Sequence, residues 1–429
     1  MKKRTRIRWN LLALLFAISV VTYLDRINIA VAGQLMSETF GLTDLEFGTI
    51  FSAFVVGYVL SQVPAGWIGD RLGHKSTLVL GLIIWSFFTL LTPWAGRGFL
   101  VPLVGLVPAI WIVRFLIGCG EAASYPCSNA LVGRWFPSRE RGLATGTIFA
   151  GLGLGATITP PFIAWLMVSF GWETSFYVCG AIGLVLSLVL VLHLTERPEE
   201  HSQISDVELQ HILTGRENLT RRSRGTPWRQ ILSDLNVWLL FISYMCTGYT
   251  VYLYFSWFYR YLISVRGLEI VQGSLLGALP FLVMTISSPL GGWLSDRLSL
   301  RLGKTTARRL IVMCAKLPCL PLLYLGASTE DNYMAVFWFS LAFGLSFLGA
   351  NCYWTTAIEL LPAHAGTVSA CMTMGVNAAG IFAPVLTPLI KDQYGWTVAW
   401  SVGGAFTVIG GLLWIFVRPE KKIGEVANG

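Results

Sequence analysis

Apolar residues run along this chain in long unbroken stretches, punctuated by short polar segments, with no sustained period-two alternation. Stretches near 10–32, 47–68, 76–95, 102–130, 143–167 and 174–194 are each of bilayer-crossing length, since about 20 apolar residues in a helix span a hydrocarbon layer of about 30 Å. A polar segment, LTERPEEHSQISDVELQHILTGRENLTRRSRGTPWRQ, interrupts the series. Six further stretches follow near 236–263, 271–294, 309–327, 333–358, 366–390 and 396–418. Lipid offers the backbone no partners, so a spanning segment is a helix or part of a closed barrel, and continuous apolar runs select helices. The pattern predicts an all-α membrane protein with twelve transmembrane helices. Within the polar segment, Ser205 and Glu208 have capping-box spacing ahead of Leu209 and Ile212, which predicts a short amphipathic helix. The first stretch is basic then apolar, like a signal peptide. It is too long for one and more spans follow at once, so a retained first helix is expected.

The spans repeat. GWIGDR at 66–71 returns as GWLSDR at 292–297, an offset of 226, and GWETSFYVCGA at 171–181 returns loosely as GWTVAWSVGGA at 395–405, an offset of 224. Pro137 and Pro362, each just after its fourth-in-half span, are 225 apart. Three anchors at one offset predict two pseudo-symmetric six-helix halves, 1–194 and 235–429, joined by a linker over 195–234.

Composition agrees: 54% of residues are hydrophobic and 13% charged, against about 25% charged in a soluble domain. The net charge of +8 is explained by topology. With the N-terminus inside, inside segments hold 24 of the 31 Lys and Arg; outside loops hold four (Arg97, Arg260, Arg266, Lys391) and spans three. That bias predicts both termini cytoplasmic, makes the linker a cytoplasmic loop, and removes the need for a nucleic-acid partner. Eight cysteines form no CxxC pair, five histidines form no cluster, and HExxH, GxxxxGK[ST] and GxSxG are absent. No enzyme activity, metal site or cofactor is expected.

Four charges fall deep inside spans: Asp25, Arg26, Arg114 and Glu121. Each costs about 2.5–3.5 kcal/mol at a bilayer centre, so unpaired they would cost roughly 10–14 kcal/mol together. They sum to zero, so they can neutralise one another. Arg114 and Glu121 are two turns apart on one helix face, roughly 10 Å along the axis. Asp25 and Arg26 point about 100° apart, so one is expected to face a central cavity while the other reaches a neighbouring helix. Protonating Asp25 or Glu121 leaves guanidinium charge uncompensated, which an anionic solute restores, and a carboxylate suits a bidentate guanidinium. Proton and anion then favour each other's binding, which is symport. Two structural ion pairs that only fix packing are the plain alternative. Lys316 and Glu359, near the ends of the ninth and tenth spans, are expected to snorkel toward the interface.

GWIGDRLGHK at 66–75 resembles the signature of the major facilitator superfamily between its second and third spans, with His74 departing from the usual basic pair; GGWLSDRL is the weaker second copy. The likeness covers the whole chain and implies the major facilitator fold. Gly66 is expected to allow close helix approach, Asp70 to sit at a helix N-terminus and Arg71 to pair across the loop. The resemblance makes these residues, with Asp296 and Arg297, a conformational latch. YLDRIN at 23–28, FSAFVVGYVLSQVPAGW at 51–67, RFLIGCGEAASYPCSNALVGRWFP at 114–137 and GVNAAGIFAP at 375–384 resemble the anion:cation symporter branch. That branch includes galactonate, glucarate and hexuronate transporters, sialin and the vesicular glutamate transporters. It implies a proton-coupled importer of an organic anion, a sugar acid or related carboxylate, working by alternating access as a monomer in the inner membrane. Protons would be carried by Asp25 and Glu121. Arg26 and Arg114 would meet the anion, and Tyr23, Tyr58, Asn351, Trp354 and Asn377 would line the cavity. Sugar-acid members carry a Gln where this chain has Leu152, which shifts weight toward a less polar organic acid. The alternative is an exporter or antiporter of the same fold for another organic anion or drug-like solute. A receptor that kept the fold would carry a long soluble domain, and no polar segment here exceeds about 40 residues.

Overall fold

The computed structural model describes residues 5–98, 100–214, 228–361 and 365–420. Pro362 and residues 215–227 of the linker lie outside these. The chain divides into two compact units, Met1–Arg222 and Ser223–Gly429. In the first unit, helices α1 (Ile7–Phe40), α2 (Asp44–Leu72), α3 (His74–Ala95), α4 (Val101–Val104), α5 (Leu106–Glu121), α6 (Ser124–Trp135), α7 (Ser138–Phe170) and α8 (Trp172–His193) are followed by the short α9 (Asp206–Thr214). The second unit holds α10 (Trp228–Ser233), α11 (Leu235–Leu253), α12 (Tyr259–Ser264), α13 (Ile270–Leu302), α14 (Lys304–Lys316), α15 (Cys319–Ser328), α16 (Asn332–Leu348), α17 (Ala350–Leu360) and α18 (Ala365–Leu412).

Eleven helical segments among the described residues are long and apolar enough to cross a bilayer. The last of them, Thr367–Ile415, runs 49 residues and is bent at Gly395, whose φ of 82° is open to glycine. Counted on either side of that bend, the crossings number twelve. Local chemistry sets the boundaries. A capping box opens α2, with the Glu46 amide 3.2 Å from Thr43 Oγ1 and the Thr43 amide 2.8 Å from Glu46 Oε2. The fourth span of the first unit is broken at Ala122 and Ala123, directly after Glu121, so this carboxylate ends α5.

Close helix pairs in the first unit are built on glycine. A Cβ on Gly57 or Gly118 would run into the backbone of the facing helix, at Phe115 and Phe54 respectively, so α2 and α5 touch main chain to main chain. Gly151 and Gly155 of α7 do the same for α1, where a Cβ would lie 2.8 Å from the Phe16 and Val20 carbonyls. Around Gly66 a Cβ would meet open space, so the close approach expected there is not made; it is made at Gly69, against His74 and Cys127.

The expected linker helix is α9, with half the expected cap. The Glu208 amide donates to Ser205 Oγ at 3.3 Å, but the Glu208 carboxylate turns to α1. There it accepts from the backbone N–H of Ile7 at 3.0 Å and Arg8 at 3.3 Å, from Thr5 Oγ1 at 2.6 Å and from Arg8 Nη1 at 2.9 Å. A buried linker carboxylate thereby caps a helix whose own N-cap residue, Arg6, supplies no side-chain bond. Arg8 Nε also donates to Glu140 at the start of α7, at 2.9 Å, and His211 of α9 lies 3.1 Å from the same carboxylate.

In the second unit Lys316 corrects the sequence reading. It is completely buried, because α14 and α15 together form one span, Lys304–Ser328, that continues well past it. Its ammonium donates to Thr247 Oγ1 and lies 5.2 Å from the Tyr353 ring centroid. Glu359 does sit at a half-buried helix end, bonded to Arg308 and Lys304.

Candidate functional site

The four span charges come together inside the first unit, and the glycine contact between α2 and α5 explains how. With Gly57 against the Phe115 backbone and Gly118 against the Phe54 backbone, Phe54 and Tyr58 of α2 are held beside α5, stacked at 6.1 Å between centroids. α1 then brings Arg26 against both. Its Nε donates to Glu121 Oε1, and its guanidinium carbon lies 4.6 Å from the Tyr58 ring, 5.2 Å from Phe54 and 5.3 Å from Tyr23. Arg26 is the most accessible of the four, its side chain 18% exposed beside a fully buried Glu121. Aromatic faces stabilise a cation electrostatically without neutralising it, so this cage holds the guanidinium in place and leaves its charge available.

Arg114 sits on the other side of Phe54, its guanidinium carbon 5.1 Å from that ring. It is buried, and its Nε and Nη2 have no hydrogen-bond partner among the described residues. Neither oxygen of Asp25 has one, nor does Oε2 of Glu121. The indole N–H of Trp85 on α3 is offered to Asp25 at a geometry short of a full hydrogen bond. One ion pair, Arg26–Glu121, is therefore closed, while Asp25 and Arg114 stand as buried groups with bonding capacity in reserve. A site of this make-up can accept an anion at guanidinium and a proton at carboxylate.

Arg26 meets α2 and α5, while Asp25 is near Trp85 of α3 and Cys179 of α8 and also within electrostatic reach of Arg114 and Glu121 of α5. Tyr23 and Tyr58 join the Arg26 cage; Tyr58 is buried at its centre. The second-unit candidates take other partners. Asn351 of α17 donates to the Ser288 carbonyl of α13, Trp354 packs, like Tyr244, against the core cluster that includes Tyr353, and Asn377 of α18 accepts from Tyr252 of α11 at 3.4 Å. Of the candidate latch, Asp70 is exposed, with His74 Nε2 3.7 Å away, and Arg71 lies over Trp67 at 3.9 Å. Arg297 repeats this over Trp293 at 4.4 Å, beside an exposed Asp296. The N-terminus of α3 is capped by Glu196 of the linker, which accepts from the His74 amide at 2.9 Å and the Lys75 amide at 2.7 Å and also pairs with Arg134. Sequence reasoning missed Phe54, which touches both guanidinium groups, and Trp85. The one signal for Phe54 was its four-residue spacing from Tyr58; Trp85 is one of 17 tryptophans and carried none.

The family model described as Major Facilitator Superfamily matches residues 15–374. A protein of Cupriavidus necator named probable sulfoacetate transporter SauU is 30% identical over 438 residues, covering 100% of this chain and 99% of its own length. The D-galactonate transporter of Escherichia coli is 29% identical, covering 98% of each. The probable galactarate/D-glucarate transporter GudP of Bacillus subtilis is 30% identical, covering 95% of this chain and 90% of its own. Among solved structures, a bacterial homologue of the human lysosomal transporter Spinster superposes with a TM-score of 0.77 at 18% identity, covering 97% of this chain and 98% of that one. The xylose transporter XylE of E. coli gives 0.74 at 15% identity, covering 98% of each.

Proposed function

The chain belongs to the Major Facilitator Superfamily, and we propose that it is a proton-coupled symporter importing a small organic anion. Family membership makes it a multi-pass membrane transporter rather than an enzyme. The relatives' names point to sulfoacetate and sugar acids, and Leu152 in place of a buried amide favours the smaller, less hydroxylated end of that range. The reading places two six-helix halves, 1–194 and 235–429, around an alternating-access cycle in the inner membrane, with both termini cytoplasmic and the chain acting as a monomer.

The observation that carries the proposal is the Arg26–Glu121 pair beside an Arg114 and an Asp25 that hold bonding capacity in reserve. A proton arriving on Glu121 removes its charge and frees Arg26. The cluster, neutral before, then carries one excess positive charge. An anion bound to Arg114 and Arg26 restores neutrality, with a bidentate carboxylate or sulfonate head matching the guanidinium fork. Asp25 carries the second proton. Return of the empty carrier requires the protons to leave, so that the Arg26–Glu121 pair closes again. Tyr23 and Tyr58 hold Arg26 in the cage, Asn351, Trp354 and Asn377 are assigned to substrate binding, and Gly66, Asp70, Arg71, Asp296 and Arg297 to the conformational latch.

Thermal-shift and proteoliposome uptake measurements with sulfoacetate, galactonate, glucarate and an aromatic carboxylate test this. One anion is expected to stabilise the protein and to accumulate against its gradient when the outside is acid. Glu121→Gln is expected to keep anion binding and lose gradient-driven accumulation. Retained accumulation in that variant would remove Glu121 from the coupling role, and flux outward against an inward proton gradient would favour the exporter.

A further inference from the structure

Asp25 lies between Glu121 and Arg114 of α5 on one side and the seam between α1, α3 and α8 on the other. Buried polar atoms without a bonded partner concentrate there. Among the described residues they include both oxygens of Asp25, Nε1 of Trp85, Oγ of Ser86 and Oγ1 of Thr89. Trp85 and Thr89 are four apart and share one face of α3; Asp25 and Asn28 are three apart and share one face of α1. Asn28 carries the polar file onward to α8. Its Nδ2 donates to Cys179 Sγ at 3.5 Å, and its Oδ1 lies 2.8 Å from Ser175 Oγ. Ser175 Oγ is 2.7 Å from the Trp172 carbonyl at the N-terminus of α8, where Glu173 meets an exposed Arg97 at 3.4 Å. From that surface the file runs Ser175, Asn28, Cys179, Asp25, with the unbonded groups of α3 along its side.

Unsatisfied polar atoms are costly in a protein interior, and more so within a bilayer, so several in one seam need an occupant. Small protic donors and acceptors on three helices suit ordered water, which takes two to four polar partners. The ionisable groups facing Asp25 are Glu121 and Arg114 of α5 and Cys179 of α8; α3 contributes the neutral Trp85, Ser86 and Thr89. We propose that this seam is a hydrated proton file delivering protons to Asp25 from the N-terminal end of α8, so that protons reach Asp25 along α8 while the anion is held at the guanidinium groups of the cluster. A proton taken up at that end passes along hydroxyl and water hydrogen bonds and forms an O–H bond on Asp25, leaving the Arg26–Glu121 pair intact. The assignment rests on the proton-coupled reading above. It gives Trp85, Thr89 and Asn28 positioning roles, separate from substrate contact.

Trp85→Phe removes the N–H offered to Asp25, and Thr89→Val removes a hydroxyl that has no bonded partner among the described residues, so a purely structural role predicts no selective loss of proton movement. The full-length protein is reconstituted with a pH-sensitive dye inside, and substrate-coupled proton influx is measured beside substrate–substrate exchange at equal pH. Both variants are expected to slow proton influx by about tenfold, the effect of losing one hydrogen bond to a charged group, with exchange rate and melting temperature unchanged. Asn28→Leu is expected to do the same. Wild-type proton influx in Trp85→Phe and Thr89→Val overturns the file, as does a parallel fall in exchange and melting temperature. Anion uptake without proton movement in the wild type fails the symport reading itself, a different outcome from either.

Discussion

The two halves repeat one another in sequence and differ in what they do with the repeat. At the offset of 225, Asp25, Arg26, Arg114 and Glu121 correspond to Thr250, Val251, Phe339 and Ser346. The first unit places four charges where the second places none. Thr250 Oγ1 is satisfied by the Gly403 carbonyl at 2.6 Å and by Thr407 at 2.8 Å. Phe339, where the first unit has Arg114, is the centre of an aromatic cluster, 4.6 Å from Trp400 and 5.3 Å from Phe258. A six-helix unit of this design therefore needs no charge at those positions to pack, which counts against the plain structural reading of Asp25, Arg26, Arg114 and Glu121.

The largest expected effect separates Arg114 from its counterpart. Arg114→Ala removes a buried group two of whose nitrogens make no bond among the described residues. Anion uptake should fall by about 100-fold, on the scale of a lost bidentate charge-assisted contact, while the melting temperature holds or rises. Phe339→Ala should instead lose about 3–5 kcal/mol of stability, with transport falling only as folded protein falls. Equal losses of stability in the two variants would dissolve the contrast between an electrostatic and a packing half.

Next in size are two methionine replacements, read by thermal unfolding. Arg26→Met strands the buried Glu121 carboxylate and should cost about 3–5 kcal/mol at neutral pH. Lys316→Met leaves no carboxylate behind, since among the described residues Lys316 pairs with none and is held by Thr247 and the Tyr353 face. Unfolding should then be unchanged or shifted upward. A large loss for Lys316→Met would give the second half a charge as consequential as those of the first.

The smallest effect concerns the linker clamp on the first half. Burial alone would push the Glu140 carboxyl up, but bonds from Arg8 and His211 outweigh it and hold the carboxyl below the ordinary glutamate range. A depressed carboxyl contributes stability that is present above its unfolded value and lost as pH falls through the folded one. Hydrogen exchange at the start of α1 and in α9 should therefore rise below about pH 4.5, and Glu140→Gln should remove that step. An unchanged pH profile in this variant would free the clamp from Glu140.

Spans and repeat were legible because lipid imposes one rule on every crossing. Apolar runs of sufficient length must be helical, and no tertiary contact overrides this. The four charges were legible for the same reason, as exceptions with a known cost. Lys316 was misread because its depth depends on how α14 continues into α15 across Pro318, and a position within a run does not state which neighbours surround it. Phe54 and Trp85 were invisible as site residues, since an aromatic in a span looks the same whether it faces lipid, core or guanidinium.

By itself the sequence determined that this chain crosses a membrane in two related sets of helices, and that one set carries charges the other lacks. Hydrophobic length and the cost of burying charge are both additive along a chain. Only the tertiary structure decided which charge meets which. The close approach of α2 and α5, Gly57 against Phe115 and Gly118 against Phe54, seats Phe54 and Tyr58 beside α5, which closes Arg26 on Glu121. The 100° between adjacent helical residues then turns Asp25 into the α1–α3–α8 seam. Pairing is a property of facing surfaces, and those exist only once the helices have packed.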